Sequence, residues 1–114
     1  MEVLNENLKK VQKIKDDLEK QFKIAQRLKH AQYSDANLDT AEKIYRYAAE
    51  HMGTLCSECS VTKLSNHMKE RIDNELSNFD KEVRFEIIKT YISPDLTKCI
   101  DNCDLISKNL QKQA

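Results

Sequence analysis

DNELSNFDKE, residues 73–82, decides how this chain folds. On either side of it the apolar positions Val61, Leu64, Met68, Ile72, Leu76, Phe79, Val83, Ile87 and Tyr91 keep a spacing of three or four, the mark of one long amphipathic helix. The decapeptide argues otherwise. Asn74, Ser77, Asn78 and Asp80 are weak helix formers because their side chains compete for backbone hydrogen bonds, and Ser77 with Asp80 approximates a capping box. Length favours a break as well. An unbroken helix from Val61 to Ile92 would run about 48 Å, whereas a break near Ser77 leaves halves of about 24 and 22 Å, close to the roughly 27 Å of its neighbours.

Outward from this stretch, the sequence holds one glycine (Gly53) and one proline (Pro94) in 114 residues and is rich in Lys, Glu, Leu and Gln. That composition predicts an all-α chain. Leu4, Val11, Ile14, Leu18, Ala25 and Leu28, flanked by Phe22, define a first helix from about Glu2 to about His30. Ser34, Asp35 and Asn37 are N-cap choices for a second, with Leu38, Ala41, Ile44, Tyr45 and Ala48 on one stripe and Gly53 as its C-terminal cap. Ser93, Pro94 and Asp95 read as the start of a last helix reaching Lys112. The expectation is an up-and-down bundle of four to five helices in a single domain over residues 1–114, broken near Ser77.

Lysine plus arginine equals aspartate plus glutamate at 19 each, so no overall charge draws the chain to nucleic acid. In KKVQKIKDDLEK, residues 9–20, the lysines alternate with Asp16, Asp17 and Glu19 on the side away from the apolar stripe, as on a solvated face. No apolar run approaches the roughly 20 residues that cross a bilayer, and the first thirty residues lack a signal-peptide core. The reading is a cytoplasmic chain with no membrane partner and nucleic acid unlikely. In a reducing compartment, clustered cysteines point to metal or redox chemistry more than to structural disulfides.

There are four cysteines, in CSEC (56–59) and CIDNC (99–103). Cys56 and Cys59 sit in a polar interhelical turn, where burial gives no reason for two thiols, and a CxxC turn aims both sulfurs at one point. Cys99 and Cys103 stand four apart on a helix, sharing a face with Leu96, Ile106 and Leu110, and alone they read as small buried hydrophobes. Together the pairs supply four soft ligands, and the expectation is a closed structural zinc site at Cys56, Cys59, Cys99 and Cys103. Such a staple suits a short bundle with few aromatics.

Two enzymatic readings compete. Cys56 and Cys59 near a helix N-terminus would serve as a redox dithiol. Arg46 and His51 in RYAAEH resemble the spacing of helical ribonucleases of the HEPN type, which implies a nuclease pair flanking a dimer cleft; without that resemblance, a histidine in the last turn of a helix is simply favoured by the helix dipole. Glycine-rich phosphate loops, nucleophile elbows and HExxH are absent from the sequence. The function expected is a non-catalytic, zinc-stabilised helical adaptor or regulator that binds a protein partner or a copy of itself.

Overall fold

The computed structural model describes residues 2–53 and 60–112. Among them there is no strand. Four helices form the bundle: α1 (Glu2–Leu28), α2 (Asp35–Gly53), α3 (Ser60–Glu70) and α4 (Lys81–Lys112).

Helix α1 closes by tightening, with the His30 and Ala31 amides bonding the Arg27 and Leu28 carbonyls at 3.2 and 3.0 Å. Ser34 caps α2, its Oγ accepting the Asn37 amide at 3.0 Å. Val11, Ile14, Leu18, Ala25 and Leu28 from α1 and Leu38, Ala41, Ile44, Tyr45 and Ala48 from α2 are all buried as expected, α1 packing chiefly on α4; the Leu4 side chain lies outside those described.

The break occurs where residues 73–82 predict it. After Glu70 the helix widens into a π segment, Arg71–Glu75, tightens into a 3-10 turn, Leu76–Asn78, and stops at Phe79, whose φ of −108° and ψ of 155° are extended. Asp80 then caps α4, its Oδ1 accepting the Val83 amide at 3.2 Å. Ser77 takes no part in a box. Its hydroxyl donates back to the Asn74 carbonyl at 3.0 Å.

The expected helix start at Pro94 is not there. Helix α4 runs unbroken through Pro94 for 32 residues, about 48 Å, along the 49 Å long axis of the molecule. Pro94 can give no amide to the Thr90 carbonyl, a loss that ends many helices. Here packing prevails, because Ile88, Ile92, Leu96 and Cys99 are all held in the core on either side of the proline, while Thr90 and Pro94 lie on the exposed side. A second correction concerns the side of α4 that faces inward. The core face is Phe85, Ile88, Ile92, Leu96, Cys99 and Cys103, whereas Phe79, Val83 and Tyr91 of the continuous stripe are exposed. Breaking the helix freed α4 from the register of α3.

Helices α1 and α4 run antiparallel, joined by Lys15 with Asp104 at 2.5 Å and by Lys89 Nζ on the Ala31 carbonyl at 2.9 Å. Helix α3 returns antiparallel to α2, bringing Ser65 Oγ onto the Ala49 carbonyl at 2.5 Å and Asp73 to Arg46 at 2.6 Å. Helix α4 then follows the direction of α2, so that Arg84 meets Glu42, Asp95 meets Tyr45 and Cys103 meets Met52 in sequence order. Gly53 is no left-handed cap, since its φ is not positive. It serves close approach instead: a Cβ there would lie 2.9 Å from Ser65 Oγ. No helix among the described residues is long and apolar enough to cross a membrane.

Candidate functional site: a sulfur cluster beside a buried polar node

Continuity of α4 places Asp95, Cys99 and Cys103 on successive turns of its core face. Each meets a partner from another helix. Asp95, 5% exposed, accepts the Tyr45 hydroxyl at 2.5 Å and Arg71 Nη1 at 2.7 Å, while Arg71 also donates to the Tyr45 oxygen at 2.8 Å. The Arg71 guanidinium lies 3.9 Å above the Tyr91 ring. Three helices thus close on one carboxylate. Burial, with the Asp95 carboxylate beside it, holds the Tyr45 phenol well above its ordinary range, so it stays a donor.

One turn on, Cys99 Sγ contacts Met68 Sδ of α3 at 3.8 Å, and a further turn on, Cys103 Sγ contacts Met52 Sδ of α2 at 3.9 Å. All four side chains are fully buried. Burial pushes the Cys99 thiol up to about 12 and the Cys103 thiol to about 11, with Asp95 and Asp104 adding in the same direction. Both are free thiols, protonated at neutral pH and poor nucleophiles.

Of the four cysteines expected to share a zinc ion, Cys56 and Cys59 lie outside the described residues. Cys103 does come to the end of the bundle where α2 gives way to α3, being in contact with Met52, the neighbour of Gly53. It arrives by running straight along α2 rather than by turning back at Ser93. Among the described residues no group of three or more His, Cys, Asp or Glu side chains is gathered as around a metal ion.

Arg46 and His51 are not brought together. Arg46 pairs with Asp73 beside α3. The His51 ring stacks on Tyr47 at 3.8 Å between centroids, in a cleft of about 370 Å³ that Lys10, Lys13, Ile14 and Asp17 of α1 complete. Five residues on a helix span about 500°, so the two side chains leave α2 on different sides.

Sequence reasoning missed the polar node and the two methionines. A signal for the node existed: Tyr45 on a core stripe needs a partner for its hydroxyl. Reading Pro94 as a helix start hid the answer, because Asp95 then became a first-turn charge instead of a core position between Ile92 and Cys99. Comparison of the chain with protein-family models, curated proteins and solved structures finds no match.

Proposed function

We propose that this chain is a non-catalytic helical module that binds a basic, amphipathic helix of a partner protein across the outer face of α4. The observation that carries the reading is an apolar row: Val83 and Ile87, four residues apart on one side of α4, with Val83 41% exposed, and Phe79, 48% exposed, in the extended segment just before the helix. Beside it, Glu82, Val83, Glu86, Ile87 and Thr90 line an open groove of about 450 Å³. Of the nearby basic residues, Lys81 is directed toward Asp35 and Arg84 toward Glu42, each at 3.8 Å, while Lys89 lies 3.4 Å from Glu86. With Lys89 offsetting Glu86, Glu82 leaves the rim acidic, which suits lysines or arginines on the partner. Full burial of the three apolar side chains is worth about 1.5–3 kcal/mol each. Because the three side chains are already partly buried and association itself costs about 4 kcal/mol or more, the row alone supports weak binding, on the order of millimolar.

Selection from a library of helical peptides tests this. Selected peptides should be basic and amphipathic, should bind wild type and the Ile24→Glu control alike, and should lose binding to Val83→Glu. Peptides indifferent to Val83→Glu would sink the reading, and a concentration-dependent dimer abolished by the same substitution would make the occupant a second copy. Under this proposal the chain cleaves no RNA, and Arg46→Ala and His51→Ala change only stability.

A structural zinc held by Cys56, Cys59, Cys99 and Cys103 is a second reading. The position of Cys103 beside Met52 favours it, and about one zinc per chain in metal analysis of untagged protein is its test.

A further inference from the structure

In the core the Cys99 thiol donates to the Met68 thioether and the Cys103 thiol to the Met52 thioether, two sulfur pairs drawn from three helices, with their cysteines one helical turn apart on α4. We propose that Cys99, Cys103, Met68 and Met52 form a binding site for a single soft monovalent cation, copper(I). This goes beyond the partner-binding reading and does not depend on it. It uses Cys99 and Cys103 without Cys56 and Cys59, and so competes with the four-cysteine zinc reading for the same two thiols.

Donor chemistry comes first. Every ligand is sulfur, and thiolate with thioether is a set that selects copper(I), whereas zinc takes thiolate, imidazole and carboxylate. Spacing comes second. Two sulfurs bound to one metal ion at about 2.3 Å stand roughly 3.8–4.6 Å apart between tetrahedral and linear arrangements. The Cys99–Met68 and Cys103–Met52 contacts, at 3.8 and 3.9 Å, already lie in that range. Methionine, with three soft torsions, can swing its sulfur toward a shared ion from either side.

Charge is the third consideration and decides the stoichiometry. The site is dry, and an ion bearing net charge there is costly to desolvate. When copper(I) binds, one thiol's S–H bond breaks, its sulfur lone pair forms the Cu–S bond, and the proton leaves to solvent. No electron moves and copper stays monovalent. One cation and one thiolate leave the cluster neutral, with the second thiol and both thioethers as uncharged donors. Asp95, one turn away, does not compete for the ion, because Tyr45 and Arg71 already hold it. A bound ion would join α2, α3 and α4 one to two turns along α4 from the Tyr45–Asp95–Arg71 node.

Because the four side chains are fully buried, loading is done during folding. The full-length chain is unfolded, then refolded without oxygen in the presence of copper(I) supplied as its bicinchoninate complex. Copper per chain after desalting, ultraviolet thiolate-to-copper charge-transfer absorption and melting temperature are read. About one copper per chain, withheld from the chelator and raising the melting temperature, is expected. Met52→Leu and Met68→Leu, singly and together, conserve volume and should fold. Each should weaken copper retention, the pair by about tenfold or more. The double variant Cys56→Ser/Cys59→Ser should retain copper as wild type does. The proposal is overturned if folded wild type keeps no copper, if retention ignores both methionines, or if it is lost with Cys56 and Cys59. A parallel refolding with zinc that gives one zinc per chain, dependent on Cys56 and Cys59 but not on the methionines, would establish the four-cysteine site in its place.

Discussion

Tyr45 of α2 donates its hydroxyl hydrogen to the Asp95 carboxylate of α4 across 2.5 Å, fifty residues away in sequence and inside the core. Arg71, at the start of the π segment, completes the arrangement by donating to both. The widened turn that follows α3 supplies the cation that the buried carboxylate needs. The node thereby fixes α2, α3 and α4 relative to one another.

Removing one partner from this node should cost far more than removing both. Asp95→Leu leaves a guanidinium and a phenol unmatched and is expected to destabilise by about 3–5 kcal/mol. The pair Arg71→Met with Asp95→Leu should recover more than half of that loss, with chemical denaturation of the four proteins of the cycle as the measurement. Additive single effects would show that the three groups do not act together.

Stability should fall as the solution becomes alkaline, and from a lower pH than lysine titration alone would give. The folded pKa values of Cys99 and Cys103 are raised to about 12 and about 11, and that of Tyr45 is raised too, so their contribution is fully present below the unfolded values of 9.0 and 10.0. Above those values the unfolded chain loses protons that the folded chain keeps, and stability is lost as pH rises through the folded values. Denaturation at pH 8 and pH 10.5 should differ most for wild type, less for Cys99→Ala and less again for Cys99→Ala/Tyr45→Phe.

Pro94→Ala should raise stability by about 1–3 kcal/mol, because alanine restores the amide that bonds the Thr90 carbonyl inside a continuous helix. If Pro94 began a helix, the same change would be neutral or harmful. A melting temperature that rises by several degrees decides between the two.

At Gly53 the usual helix preference should reverse. Alanine is about 1 kcal/mol better than glycine inside a helix, yet its Cβ would stand 2.9 Å from Ser65 Oγ, which is buried and bonded to the Ala49 carbonyl. Gly53→Ala is expected to cost about 1–2 kcal/mol in wild type and to become favourable in a Ser65→Gly background. Equal effects in both backgrounds would mean that the contact does not limit the approach of α3.

What the sequence determined by itself is the part carried by neighbours along the chain. The stripe from Val11 to Leu28, the Ser34 cap, the break before Asp80 and the inward face of Cys99 and Cys103 all rest on spacings of seven residues or fewer, where local propensity and periodicity act. Tertiary structure decided the rest. Nothing local shows that α4 passes through Pro94, because the lost hydrogen bond is outweighed only by contacts with α1 and α2. Nothing local shows that Phe79 and Val83 face solvent while Phe85 and Ile88 face the core, since α4 is apolar on two sides and only the packed bundle selects one. The candidate sites divide in the same way. Cys99 and Cys103 were legible as a pair on one face, but their sulfur partners Met52 and Met68, and the Arg71 and Asp95 that serve Tyr45, come from segments 24 to 51 residues apart. Sequence periodicity tells which side of a helix is apolar; only the arrangement of the other helices tells which atoms that side will meet.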